Sequence, residues 1–117
     1  MNLIAIFDSE TQNLAAKLAT DEWFFSKFRE RIVKPLTPSE AFDLIPQAVD
    51  LVMREDDLRI ECFELLMDLA RHSGTTEMPQ ALATQWTKLI SHIKAYGDYG
   101  ELRANELSQW YRKSVQQ

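Results

Sequence analysis

The stretch DDLRIECFELLMDLARHSG, residues 56–74, decides the fold. It is apolar through most of its length and shows no strand-like alternation, so it reads as a core helix closed by Gly74. Yet Asp57, Glu61, Glu64 and Asp68 recur along it at spacings of four, three and four. At about 100° per residue they fall within a strip about 60° wide. Leu58, Cys62, Phe63, Leu65, Leu66, Met67, Leu69 and Ala70 occupy well over half of the circumference. The expected helix, from about Asp57 to His72, is therefore nearly surrounded by neighbours, with one wet strip that is uniformly negative. Like charges four residues apart cost about 0.2–0.5 kcal/mol per pair. Asp57 recovers part of this from the helix dipole, and Asp68, near the other end, does not.

Working outward, the punctuation is that of an all-α chain. Glycine occurs only at Gly74, Gly97 and Gly100, and no Asn-Gly or Asp-Gly hairpin turn is present. The clearest helix start is TPSE, where Thr37 can serve as N-cap, Pro38 as N1 and Glu40 as N3 of a capping box. Pro46 falls inside that helix and predicts a kink or a restart. Upstream, DSETQNLAAKLA predicts a short helix capped by Asp8 or Ser9, with LIAIF as a first turn or a separate short helix. DEWFFSKFRERIVK predicts another, with Trp23, Phe24, Phe28 and Ile32 on its apolar face and Phe25 pointing away. Downstream, a helix from about Pro79 to Tyr96 places Leu82, Trp86, Leu89, Ile90 and Ile93 inward and stops at Gly97. A last helix, ELRANELSQWYRKS, follows with Leu102, Leu107, Trp110 and Tyr111. Short connections make successive helices antiparallel. The expectation is a single domain over residues 1–117: an antiparallel helical bundle or a short HEAT-like α–α superhelix of five to six helices.

With 117 residues, 45% of them hydrophobic, the chain can build a core without staples. Its single cysteine, Cys62, excludes an internal disulfide framework and multi-cysteine metal sites. The N-terminal apolar run is too short for a signal peptide, and no stretch approaches the ~20 apolar residues of a membrane span. A cytoplasmic protein with no membrane association is the expectation. The net charge of -5 is unevenly spread. Residues 1–34 are neutral, residues 35–80 carry ten acids against three bases, and residues 81–117 carry three acids against five bases. That middle third repels nucleic acid and attracts a basic partner.

No catalytic, cofactor or metal signature accompanies these features. Cys62 and His72 lie about 15 Å apart along one helix and cannot act together. His92 sits beside apolar Ile93 and reads as a packing residue. The acids lack an EF-hand loop or a Glu-x-x-His pair. Lys27, Arg29, Arg31 and Lys34 read as a solvated face. Two readings of the acidic strip compete, a solvated face that aids solubility and a docking face. Asp43 and Asp50, seven apart on the preceding helix, extend it if their face adjoins. YGDYGE, residues 96–101, reads as a loop in which Tyr96 and Tyr99 can serve as interface anchors.

The architecture, TPSEAFDLIPQAVDLVMREDDLRIECFELLMDLA above all, resembles the small acidic all-helical immunity proteins of bacterial toxin systems, such as those of contact-dependent inhibition. The resemblance implies a stoichiometric, non-catalytic inhibitor that occludes a basic toxin domain, often a nuclease, with Asp57, Glu61, Glu64, Asp68, Asp43 and Asp50 steering and Tyr96 and Tyr99 anchoring. The alternative is a HEAT-like scaffold or adaptor that takes a peptide or helix in an apolar groove between helices. An enzyme or a metal protein is a third reading.

Overall fold

A computed structural model describes residues 1–113 and contains seven helices and no strand among them. They are α1 (Leu3–Glu10), α2 (Leu14–Thr20), α3 (Phe24–Val33), α4 (Pro38–Arg54), α5 (Arg59–Ser73), α6 (Gln80–Lys94) and α7 (Asp98–Tyr111). The all-helical expectation holds, and the count exceeds five to six. The excess arises at the N-terminus. LIAIF and Asp8–Ser9–Glu10 form one helix, capped by Asn2 rather than by Asp8 or Ser9. A turn at residues 11–13, with Asn13 in the left-handed region at φ 54°, then starts α2. The expected end of the last helix at Ser114 lies outside the described residues.

Two αα-hairpins, α4–α5 and α6–α7, make the centre. The α4–α5 pair is the most intimate in the molecule. Ala41, Leu44, Ile45, Ala48, Val49, Leu51 and Val52 of α4 are buried, as are Ile60, Cys62, Phe63, Leu65, Leu66, Met67, Leu69 and Ala70 of α5. The capping box forms in both directions: Thr37 Oγ1 accepts from the Glu40 N–H at 3.1 Å, and Glu40 Oε1 accepts from the Thr37 N–H at 2.8 Å. α4 runs as one helix through Pro46, without the restart that the sequence allowed. The proline costs one backbone bond, to the Phe42 carbonyl. The buried face spanning both sides of it outweighs that loss, since each buried aliphatic side chain contributes about 1.5–3 kcal/mol.

α1 lies along α4. Its first N–H, on Leu3, donates to Gln47 Oε1 at 2.6 Å, and Arg54 holds Asp8 with two nitrogens at 2.6 and 3.3 Å. α3 lies along α5 and runs the same way, because Arg29 meets Glu64 while His72 Nε2 meets the Leu36 carbonyl just past the end of α3. α7 lies on the other side of α5, also parallel to it. Tyr99 meets Glu64, Arg71 meets Glu106, and Trp110 Nε1 donates to the Thr75 carbonyl.

On α3 the aromatic cluster is divided differently from the sequence expectation. Phe28 is buried, Phe25 packs against the core, and Trp23 is 63% exposed at the helix entrance. α3 starts one residue after Trp23, so Trp23 falls outside the helical register that the apolar face assumed.

Gly97 and Gly100 do not bound a loop. Gly97, at φ 124°, is the N-cap of α7, and Gly100 lies inside the helix. A Cβ at Gly100 would sit 2.0 Å from the Ile93 carbonyl oxygen, so the end of α6 and the start of α7 touch backbone to backbone there.

Candidate functional site

The acidic strip of α5 is not a wet ridge. α3 and α7 approach it from both sides, and each contributes an arginine to it. Arg29 of α3 pairs with Glu64 and, through Nε at 2.9 Å, with Asp68. Arg103 of α7 lies 3.6 Å from Glu64 and 2.8 Å from Glu106, and Arg71 of α5 lies 3.4 Å from the same Glu106. Tyr99 adds its hydroxyl to Glu64 at 2.8 Å. The result is one continuous ionic network, Asp68–Arg29–Glu64–Arg103–Glu106–Arg71, joining three helices. Glu64, Arg29 and Arg103 are each under one-fifth exposed. The expectation that Glu61, Glu64 and Asp68 form an outward negative ridge is therefore corrected: Glu64 and Asp68 are neutralised within the fold. Glu61 is half-buried with one carboxylate oxygen unpaired, and burial raises its pKa.

The remaining residues of the expected surface separate into two groups. Asp57 does not belong to α5, which starts two residues later; it stands exposed in the α4–α5 turn. Asp43 and Asp50 are exposed on α4. They do not extend an α5 ridge, because the α5 acids face α3 and α7 while α4 packs on another side of α5.

Asp57 instead joins Tyr96 and Tyr99 at one end of the molecule. His92, near the end of α6, fastens the α4–α5 turn in place. Its Nε2 lies 2.7 Å from the Glu55 carbonyl oxygen and 4.0 Å from Asp56. Arg59 closes the same junction from the other direction, donating to the His92 carbonyl at 2.8 Å and to the Asp56 carbonyl at 2.7 Å. The α4–α5 turn thus sits beside the segment that leads from α6 into α7. That segment exposes Tyr96 by 51%, Tyr99 by 47% and Leu102 by 55%. Tyr99 and Leu102 are one turn apart on α7, so they share a face. Asp98 and Glu101, in the first turn of α7, are exposed beside them, where the helix dipole favours acids. Among the described residues, Asp57, Asp98 and Glu101 take part in no ion pair. This end is therefore apolar and aromatic with surplus negative charge. Leu102, expected among the apolar residues of the last helix, is exposed instead, and Asp98 and Glu101 lie in a first helical turn that the sequence reads as the YGDYGE loop.

The two histidines and the cysteine are structural. His72 and His92 each meet a backbone carbonyl oxygen at 2.7 Å. Cys62 is fully buried, and burial drives its thiol far above the ordinary range, which suppresses thiolate chemistry. Among the described residues no three His, Cys, Asp or Glu side chains are grouped so as to hold a metal ion. No helix among them is long and apolar enough to cross a membrane. No protein-family model, no curated protein and no solved structure matches the chain.

Proposed function

We propose that this protein is a non-catalytic protein-binding module that takes a basic partner on its acidic aromatic end. One observation carries the reading. Three exposed carboxylates in no ion pair among the described residues, Asp57, Asp98 and Glu101, share one end of the bundle with the exposed side chains of Tyr96, Tyr99 and Leu102. Other acids, Glu64, Asp68 and Asp8 among them, are taken up by Arg29, Arg54 and Arg103. Unpaired carboxylates accelerate encounter with a basic surface, and aromatic side chains with few rotatable bonds extend the lifetime of the complex. The architectural resemblance names the specific instance: an immunity protein occluding a basic nuclease domain, whose phosphate-binding Lys and Arg residues meet the carboxylates. In this reading Asp57 steers, Tyr96 and Tyr99 anchor, and Glu61, Glu64 and Asp68 organise the fold behind them.

The test is the association rate with the purified product of the neighbouring gene, measured against salt. The wild-type rate falls about tenfold or more between low and high ionic strength. Reversing Asp57, Asp98 and Glu101 to lysine abolishes that salt dependence and slows association. Truncating Tyr99 and Leu102 to alanine accelerates dissociation. A complex whose formation ignores salt, or which the triple reversal leaves intact, overturns the reading.

A further inference from the structure

The far end of the same helices carries a second surface, which stands independently of the acidic end. Residues 75–79 cross from α5 to α6 without helical structure, and Trp110 ties them to the end of α7 through the Thr75 carbonyl at 3.2 Å. Between this connection and α4 lies an open groove of about 510 Å³. Phe42 and Pro46, one turn apart on α4, form one apolar wall, and Met78 forms the other. Asp43 and Glu77 stand at its edges, both exposed and in no ion pair among the described residues, and no Lys or Arg lines it.

One backbone feature belongs to residues that line the groove. α6 begins at Gln80 behind Pro79 with no side-chain cap and no acid in its first turn, which leaves its leading N–H groups open. The groove thus combines apolar walls, two carboxylates and the uncapped start of a helix.

We propose that this groove binds an extended peptide segment of another protein, in which a large apolar side chain is flanked by Lys or Arg. The apolar side chain packs between Phe42, Pro46 and Met78. A peptide carbonyl accepts from the first turn of α6. The flanking cations meet Asp43 and Glu77. The carboxylates decide the occupant: a phosphate, an acidic segment or a free C-terminal carboxylate would suit the helix start but would meet two negative charges at the rim.

The experiment titrates the full chain against three short fluorescein-labelled peptides and reads anisotropy. The first has a central leucine flanked by arginine and lysine; the second has glycine for the leucine; the third has glutamates for the basic residues. The first binds, and the second and third bind at least about tenfold more weakly. The variant carrying Asp43→Lys and Glu77→Lys loses the first peptide by a similar factor, and the variant carrying Asp57→Lys, Asp98→Lys and Glu101→Lys keeps it. On titration of the wild-type protein, the methyl resonance of Met78, assigned from Met78→Leu, shifts. Equal binding of the glycine peptide, loss of binding in the acidic-end variant instead, a silent Met78 methyl or no binding at all overturns the proposal. Because the groove and the acidic end are altered by different substitutions and read with different ligands, failure here leaves the acidic end standing, and failure there leaves the groove.

Discussion

The hydroxyl of Tyr99 donates to Glu64 at 2.8 Å, linking the exposed end of the molecule to the ionic network inside it. That bond holds the Tyr99 phenol above its ordinary value of 10.0, with burial adding to the effect. The proton is therefore bound more tightly in the folded chain than in the unfolded one. The associated stabilisation is present below about pH 10 and is lost as pH rises through the folded value. Glu64→Gln brings the Tyr99 transition back toward the ordinary range. Ring resonances of Tyr99 followed through an alkaline titration measure this. An unmoved transition would show that Glu64 does not control the phenol.

Arg29 ties α3 to α5, and removing it takes the ion-pair partner of Asp68 and leaves Glu64 with Arg103 and Tyr99 alone. Glu64 is 18% exposed and Asp68 33%. Uncompensated charge at this depth is costly, though less so than in a sealed core. Arg29→Met lowers stability by about 2 kcal/mol in urea denaturation, whereas Lys34→Met, whose 3.9 Å partner Glu30 is in solvent, changes it by less than about 0.5 kcal/mol. Equal effects from the two would refute a structural network.

Gly100 marks where α6 and α7 come closest. Alanine there would press its methyl against the Ile93 carbonyl, so one helix end must move. Gly100→Ala should cost about 1–3 kcal/mol. Hydrogen exchange should localise the loss to the α6–α7 junction and to Tyr96 and Tyr99. Retention of wild-type stability would mean that the two helix ends separate freely.

Local chemistry made much of this fold legible in the sequence. The TPSE box, the apolar faces of α4 and α6, and Gly74 at φ 69° closing α5 all act within a few residues. The candidate surface was less legible because its charges are cancelled across 35 to 39 residues of sequence, where Arg29 meets Glu64 and Asp68. A signal for this was present. Arg29 falls in line with Phe25, Phe28 and Ile32, and Arg103 in line with Gly100, Ala104 and Leu107, so each arginine sits on the inward stripe of its own helix. An arginine on such a stripe requires an acid opposite. The paired glycines misled for a related reason. Gly100 serves close helix packing rather than a turn, and spacing along the chain does not distinguish the two.

In the α5 strip Glu61 carries a buried unpaired oxygen, and its protonation gives a test with a definite sign. Burial is the main cause of its raised pKa; the neighbouring Glu64 adds to the rise, and Arg29 opposes it. The folded chain thus binds the Glu61 proton more tightly than the unfolded chain, for which the reference value is 4.5. Ionised Glu61 therefore costs stability above the folded value, and the cost disappears below the unfolded one. Glu61→Gln, which keeps the shape and removes the charge, raises the melting temperature near pH 7. The gain shrinks on acidification and is absent at about pH 4. Thermal melts of the two proteins at both pH values measure it. If Glu61→Gln melted lower than wild type near pH 7, the carboxylate would be a stabilising partner of Arg29 rather than a desolvated charge.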